Sequence, residues 1–251
     1  MNILFAVKDD EIFLIEVNPR ASRTVPFVSK SIGHPLAKYA TWLMLGQKLS
    51  DIGFSYKTPE SVSVKETVFP FISFSGADTE LGPEMKSTGE VMGRGENLEE
   101  AFLKAQVAAY QSEIKEGHIF IGVTDQDKQG MVPAALEFQK AGRKILATEG
   151  TYKVLHKAGV TNMEKTSLDL ENSDNIFDYI DRNEVALIVN TTRPRKRSVD
   201  AKHIRRVALM RNLPYFTTVE GTLNIASAIV ATDSGKKLNY KSLLISRKNS
   251  S

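Results

Sequence analysis

Strand-like and helix-like runs alternate along the second half of this sequence, and this alternation limits most strongly what the chain can fold into. From Gly117 onwards, short runs rich in Val, Ile and Leu are each followed by an amphipathic helical pattern. The predicted strands are 118–123, 144–147, 185–189, 215–217 and 242–246, and the predicted helices are 129–141, a short one from about 151, 175–182, 200–211 and 221–231. This pattern is typical of the α/β class, with an open, doubly wound parallel sheet and helices on both faces.

The first residues follow a different pattern and predict a β-hairpin. Two apolar runs, 3–7 and 11–17, flank the turn-forming Lys8-Asp9-Asp10. Because strand side chains alternate between faces, we expect Ile12, Leu14, Glu16 and Asn18 to share one face of the second strand. A helix over 36–45 follows, closed by Gly46.

The segment between the two regions is predicted to be rich in loops. Residues 50–95 contain many Gly, Pro, Ser and Thr, interrupted by a strand-like run over 62–69. Asn97 with Glu100 three residues later predicts an N-cap with a capping glutamate, and so a helix start. We place a domain boundary near 113–117, which gives domains over 1–112 and 113–251.

Composition excludes several kinds of protein. The chain has 251 residues and no cysteine, which excludes disulfides and thiolate metal sites. It has no apolar run long enough for a membrane span and no signal-peptide pattern, so we expect a cytoplasmic protein without a membrane partner. A net charge of +3 suits small anionic ligands. The basic run 193–197 lacks interleaved aromatic residues, so we interpret it as a loop near an anion and expect no nucleic-acid partner.

The end of the hairpin carries the first candidate site. Glu16 and Asn18 lie two apart on one strand, so they can present two hard oxygen ligands to one Mg²⁺. Arg20 and Arg23 follow, with planar donors suited to phosphate. The alternative is a strand-end cluster of salt bridges around a proline-ended turn.

Two strand ends in the second half carry the other candidate site. The runs 144–151 and 185–192 each take a strand into a polar loop, and the first continues into a helix N-terminus, where backbone N–H groups attract anions. Lys128 and Lys165 lie in loops that can reach the same edge. The alternative is that these Thr and Asn residues only form turns and caps.

Long motifs resemble a known family. The run 14–20 is similar to the end of the ATP-grasp fold, and 23–30, 35–37, 63–66 and 82–93 resemble the second, carbamate-phosphorylating half of the large subunit of carbamoyl phosphate synthetase. The fold class implied is the C-terminal remnant of an ATP-grasp domain followed by a methylglyoxal-synthase-like domain. The resemblance implies that Glu16 and Asn18 hold the Mg²⁺ or Mn²⁺ of ATP and that Arg20 and Arg23 are catalytic. Leu4 stands where the family usually has a metal-binding Gln.

The resemblance also implies an activity and a partner. The complete enzyme makes carbamoyl phosphate from bicarbonate, glutamine-derived ammonia and ATP, pairs with a small glutaminase subunit, and can form oligomers. It feeds pyrimidine and arginine synthesis. Most of an ATP-grasp domain would precede Met1, so we expect a C-terminal fragment that does not phosphorylate a substrate by itself.

The regulatory end of the family implies allosteric effectors. A nucleoside monophosphate, UMP or IMP, would be held at the positions matching the family pocket: Lys128, Thr148, Thr151, Lys165, Asn190 and Thr192. A second effector, ornithine, binds in some members, and its matching positions are Glu66, Tyr215 and Thr217. Glu66 would pair with the ornithine amine.

Two other functions compete with this hypothesis. The first is a free-standing lyase of the methylglyoxal-synthase fold, which needs an aspartate base; after Asn190 the sequence offers no carboxylate until Asp200. That function would also leave 1–112 unexplained. The second is a nucleotide-binding module with no enzymatic context, which does not account for Glu16 and its neighbours.

Overall fold

The computed structural model of the chain describes residues 1–56, 58–68, 88–191 and 199–233, with 238 and 240. The side chains of 199–202 and 233 are outside the description. The described chain divides into two compact units, one formed by Met1–Ser61 with Tyr240 and one running from Val62 to Leu238. This division separates the hairpin region from the segment 62–238, and the boundary expected near 113–117 stays a prediction.

The first unit consists of the predicted hairpin and three helices. Its elements are β1 (Asn2–Lys8), β2 (Glu11–Asn18), α1 (Thr24–Ile32), α2 (Leu36–Met44) and α3 (Leu49–Ile52). β1 and β2 are antiparallel, and Asp9 and Asp10 form the turn with positive φ angles of 50° and 63°. Asp tolerates this left-handed backbone better than most residues, which explains the tight turn. The hairpin and α2 confirm the predictions made from the sequence, whereas α1 was not predicted.

A β-bulge in the hairpin changes which side chains share a face. Phe5 pairs with Leu14, but Leu4 pairs with Glu16, so Ile15 is inserted between the two pairs. Directly opposed residues lie on the same face of a sheet. Leu14 therefore shares a face with Phe5 and lies opposite to Glu16. The expectation that Ile12 and Leu14 share a face with Glu16 and Asn18 was wrong, because a bulge shifts the alternation by one residue.

The second unit begins with an antiparallel strand pair backed by a helix. β3 (Val62–Val68) pairs with β4 (Gly89–Gly95), and α4 (Leu98–Tyr110) packs on both. The Asn97 side chain accepts a hydrogen bond from Glu100 N at 2.9 Å, and the Glu100 carboxylate accepts one from Glu96 N. The predicted N-cap is confirmed, while β4 lies in a stretch that was expected to be loop.

The rest of this unit is a five-stranded parallel sheet. Its order is β7-β6-β5-β8-β9. The strands are β5 (His118–Ile121), β6 (Ile145–Thr148), β7 (Met163–Thr166), β8 (Val185–Val189) and β9 (Tyr215–Phe216). The helices are α5 (Val132–Lys140), α6 (Glu149–Lys157), α7 (Ile176–Asp181), α8 (Val199–Met210) and α9 (Val219–Asp233).

Alternating side chains of the central strands fill two separate cores. Ile119, Ile145 and Leu187 pack on one face with residues of α5 and α9. Phe120 and Ile188 pack on the other face with residues of α7 and α8. A sheet buried on both faces needs apolar residues at every position, which is what these strands supply. The predicted fold class is confirmed.

Two strands remain to be compared with the predictions made from the sequence. β7 was not predicted, because Met163-Glu164-Lys165-Thr166 is largely polar, as suits an edge strand. The strand predicted over 242–246 lies outside the described residues. Among the helices that the structure describes, none is both long and apolar enough to cross a membrane.

Candidate functional site

The carboxyl edge of the parallel sheet collects most of the residues that were expected to bind an anion. Thr148 ends β6 and is the N-cap of α6, but makes no side-chain capping bond there. Instead its hydroxyl lies 3.1 Å from Thr151 Oγ1, which also faces Val123 N at 3.5 Å. The two hydroxyls thus lie at the start of α6, where backbone N–H groups of a helix attract anions.

Lys128 reaches this edge from the loop after β5. Its Nζ lies so close to Gly150 in the first turn of α6 that a Cβ at that position would collide with it. A side chain at position 150 would therefore have to displace the flexible end of Lys128. Lys128 also pairs with the exposed carboxylate of Asp125. The ammonium group therefore lies next to Gly150, beside the first turn of α6.

Lys165 approaches the same helix from the neighbouring strand β7. It lies opposite Ala147 in the parallel register, and its Nζ contacts the Glu149 carboxylate at 3.2 Å. It also lies 5.2 Å from the ring centroid of Tyr152. Hydrogen bonds from Lys153 and Lys165 lower the pKa of Glu149. An acidic side chain of the protein itself therefore engages one of the two candidate anion-binding lysines.

Asn190 follows β8 and is buried. Its Nδ2 donates to Gly122 O at 2.7 Å, and its Oδ1 accepts from the Tyr215 hydroxyl at 3.1 Å. Both ends of the amide are thus engaged in the scaffold, with one N–H and one lone pair left for a ligand. Thr192 and the basic run 193–197 lie outside the described residues.

A carboxylate that the sequence did not single out ties the loops of this edge together. Asp127 Oδ2 accepts hydrogen bonds from Thr124 Oγ1 and Thr191 Oγ1, both at 2.6 Å. Thr124 follows β5 and Thr191 follows β8, so the carboxylate joins the ends of two adjacent strands. The sequence did offer one indication of a role for Asp127, because it immediately precedes the candidate ligand-binding residue Lys128.

The residues expected to bind an amine lie around a separate cavity in the same unit. This cavity has a volume of about 250 Å³. It is lined by Glu66, Phe102, Gln106, Tyr110, Tyr215, Phe216, Thr217, Thr218 and Gly221. The three predicted residues are therefore brought together, by β3 on one side and by β9 with the loop after it on the other.

Glu66 is the only acidic side chain among the described residues that line the cavity. Gln106, almost fully buried on α4, donates to it from Nε2 at 3.0 Å. Burial raises the pKa of Glu66, and the Gln106 hydrogen bond partly opposes that rise. A half-buried carboxylate of this kind gains by pairing with a cation. The cavity therefore suits a ligand that carries an ammonium group.

Two polar residues of this cavity, Gln106 and Tyr110, were missed by the sequence analysis. Tyr110 accepts a hydrogen bond from Tyr215 N at 3.1 Å, and its pKa is raised, mainly by burial. Gln106 lies four positions after Phe102 and so shares the apolar side of α4. A polar residue in a helical apolar stripe was the available signal.

The first unit brings two of its four candidate residues into contact. Asn18 Nδ2 donates to Glu16 Oε1 at 2.6 Å, which confirms that both lie on one face. Leu4, the cross-strand partner of Glu16, has no donor atom for a metal. Among the described residues no group of three His, Cys, Asp or Glu could hold an ion. Glu16 and Asn18 fit a hard cation with two oxygens and leave the remaining ligands to other groups.

The two arginines continue from this strand end. Arg20 N donates to Asn18 O at 2.8 Å, which forms the turn, and its Nη1 lies 3.3 Å from Ala21 O. Arg23 is the N-cap residue of α1. Arg20 is thus tied to the end of β2, while Arg23 lies at the entry to the first helix.

Comparison with known proteins gives the family context. Residues 1–52 match the family described as the carbamoyl-phosphate synthase L chain, ATP binding domain, and residues 130–217 match the MGS-like domain. A carbamoyl phosphate synthase large chain of Mesorhizobium japonicum is 44% identical over 241 residues, covering 94% of this chain and 21% of that protein. The counterpart in Methanobrevibacter smithii is 45% identical and covers 97% of this chain and 23% of that protein.

A relative from Methanocaldococcus jannaschii is described as the C-terminal section of such a large chain. It is 41% identical over 251 residues, covering 96% of this chain and 41% of that protein. The chain thus spans between about a fifth and two fifths of the length of these relatives. The two family matches fall on the two units described above, one on the hairpin region and one on the parallel sheet.

Proposed function

Because this chain corresponds to the C-terminal portion of the carbamoyl phosphate synthase large chain, with the end of an ATP-grasp domain and an MGS-like domain, we propose that it carries the allosteric effector sites of that enzyme. In this proposal UMP or IMP binds at the carboxyl edge of the sheet and ornithine binds in the Glu66 cavity. The full enzyme acts in the cytoplasm and makes carbamoyl phosphate from bicarbonate, glutamine-derived ammonia and ATP.

The observation that carries the nucleotide site is the convergence at the start of α6. Lys128 Nζ lies over Gly150, and the hydroxyls of Thr148 and Thr151 lie beside the same turn. A phosphate dianion there would meet a helix N-terminus, an ammonium group and two hydroxyls. Lys165 and Asn190 border this position from β7 and β8. Thr192 completes the proposed set.

The ornithine proposal rests on the chemistry of the cavity. Glu66 supplies the negative charge for the side-chain amine, and Tyr215 and Thr217 supply hydroxyls for the polar end of an amino acid. The half-buried setting strengthens the attraction, because screening by water is weaker there. Glu66→Gln keeps the shape and removes the charge, so we expect ornithine affinity to fall by about tenfold or more.

The hairpin unit belongs, in this proposal, to the ATP site of the complete enzyme. Glu16 and Asn18 would hold a Mg²⁺ or Mn²⁺ ion, which when bound neutralises phosphate charge, and Arg20 and Arg23 would bind phosphate oxygens. Phe5 and Leu14 are 54% and 60% exposed, which supports a further protein surface covering this hairpin in the assembled enzyme. A small glutaminase subunit is the proposed partner.

The proposed mechanism of regulation is a coupling between the effector sites and the ATP site. Such couplings typically amount to about 1–3 kcal/mol.

A free-standing lyase is less well supported. Asp127 lies at the sheet edge, but its carboxylate already accepts hydrogen bonds from two threonine hydroxyls, so it is poorly placed to act as a base.

Titration calorimetry of the 251-residue chain with UMP and IMP tests the nucleotide site. We expect binding that weakens by about tenfold or more in Lys128→Gln, because a charge-assisted hydrogen bond to phosphate is lost. Lys157→Gln, on the last turn of the same helix, is the matched control and should bind as the parent chain does. Absence of binding by the parent chain would overturn the effector proposal, and ATP turnover by it would overturn the expectation that this portion is inactive alone.

A further inference from the structure

We propose that Tyr215 is a positioning residue shared by the two effector sites, which orients the Asn190 amide at the sheet edge while its ring lines the Glu66 cavity. This inference rests on the proposed function. The predicted role of Tyr215 was contact with an amine ligand alone. The structure adds a second role, because the Tyr215 hydroxyl reaches a residue of the other site.

The hydrogen bonds of Asn190 fix which end of its amide points where. Its Nδ2 lies 2.7 Å from Gly122 O, and a carbonyl oxygen can only accept, so the NH₂ group must be at that end. The Oδ1 atom then faces the Tyr215 hydroxyl at 3.1 Å. Asn190 is almost fully buried, so rotation of the amide would leave buried groups unsatisfied.

The setting of Tyr215 makes it a dependable donor to Asn190. Burial raises the pKa of Tyr215, so its hydroxyl keeps the proton that it donates. Its backbone N–H donates to the Tyr110 hydroxyl at 3.1 Å, and Tyr110 lines the same cavity. Main-chain and side-chain bonds thus hold Tyr215 between the cavity and the sheet edge.

A ligand in the cavity that shifts the Tyr215 ring therefore changes the hydrogen bond that orients Asn190. Asn190 in turn donates to Gly122 O, and the next residue, Val123, donates from its backbone N–H to Thr151 Oγ1 at 3.5 Å. These hydrogen bonds form a continuous path from the amine cavity to the phosphate edge. By reciprocity, a nucleotide that engages Asn190 must alter amine binding by the same factor.

Tyr215→Phe tests this inference because it keeps the ring and deletes only the hydroxyl. Calorimetry would give the dissociation constant of UMP with and without saturating ornithine, for the 251-residue chain and for the variant. We expect the ratio of the two constants to differ from 1 by about fivefold or more in the parent chain. In Tyr215→Phe the ratio should fall to within twofold of 1. A ratio of 1 in the parent chain, or an unchanged ratio in the variant, would overturn the proposal.

Tyr179→Phe is the matched control, since it deletes a tyrosine hydroxyl that donates to Glu164 and belongs to neither site. Its ornithine affinity and its coupling ratio should both follow the parent chain. Thermal unfolding of each variant verifies that it is folded.

A second readout separates this inference from the effector proposal. NMR of the ligand-free chain should show the Asn190 side-chain amide signals shifted in Tyr215→Phe and not in Tyr179→Phe. If UMP fails to bind while these signals shift, the effector proposal fails, and the proposal that Tyr215 orients Asn190 stands. If UMP binds and the signals stay unchanged in Tyr215→Phe, the proposal that Tyr215 orients Asn190 is wrong, and the effector proposal stands.

Discussion

Gln106 Nε2 donates a hydrogen bond to Glu66 Oε2 across 3.0 Å, and this bond joins α4 to β3 beside the cavity. Burial outweighs the hydrogen bond and raises the pKa of Glu66 above its ordinary value of 4.5. Between pH 4.5 and the raised pKa, the folded chain holds a proton that the unfolded chain has lost. The contribution of Glu66 to stability is therefore greatest below pH 4.5 and is lost as the pH rises through the raised pKa.

We expect Glu66→Gln to remove this pH dependence. Urea unfolding of both proteins at a series of pH values from 4 to 8 measures it. The free energy of unfolding of the variant relative to the parent chain should increase as the pH rises above about 4.5 and then level off. Parallel curves for the two proteins would contradict the raised pKa.

The ion pair between Glu149 and Lys165 predicts a gain of function on mutation. The Glu149 carboxylate lies 3.2 Å from Lys165 and 2.9 Å from Lys153, so it competes with any phosphate for these ammonium groups. All three side chains are well exposed, so the effect is small, and Glu149→Gln should bind UMP about two- to fivefold more tightly. Calorimetry at low salt measures the change.

Glu137→Gln is the control for this charge change. Glu137 forms a comparable pair with Lys140 on α5, so its loss alters the net charge equally without releasing Lys165. Equal effects of the two variants would indicate that UMP affinity responds to the net charge of the chain and not to the release of Lys165. Weaker binding in Glu149→Gln would show that the carboxylate supports the ligand and does not compete with it.

The N-cap of α4 gives a prediction about stability. Asn97 Oδ1 accepts from Glu100 N at 2.9 Å, and Asn97→Ala would leave that donor at the helix start without its side-chain partner. The free energy of unfolding should fall by about 1 kcal/mol, measured by urea denaturation. Asn97→Ser keeps an acceptor and should restore most of the loss. Equal stability of all three proteins would mean that water satisfies the donor equally well.

Sequence patterns predicted those parts of the fold that local physics determines. The limits of β8 match the prediction because five buried apolar residues in a row fit a strand covered on both faces. The Asn97 cap was predictable from spacing alone. The sequence analysis missed β7 because an edge strand can be polar, and it missed β4 because glycine lets a helix pack closely on a strand. Both features depend on neighbours in the tertiary structure.

The candidate sites were predictable in their residues and less so in their contacts. Spacing placed Glu16 beside Asn18, and the strand ends placed Thr148 and Asn190 at one edge. The bulge at Ile15 was not predictable, because one inserted residue is set by pairing with β1. The partners of Glu66 and Asn190 come from α4 and β9, far along the chain, so only the folded structure reveals them.

The packing of β4 on α4 depends on one glycine. A Cβ at Gly93 would collide with the backbone of Ala101 and Ala105 on α4, so Gly93→Ala must push the helix away from the strand. We expect the free energy of unfolding to fall by about 2–3 kcal/mol, since overpacking against a rigid backbone cannot be relieved by a side-chain rotation. Gly89→Ala in the same strand is the control, because its Cβ would make ordinary contacts of 3.6 Å with Val68. Its stability should stay within about 0.5 kcal/mol of the parent chain. Similar urea midpoints for the two variants would show that α4 does not pack so closely on β4.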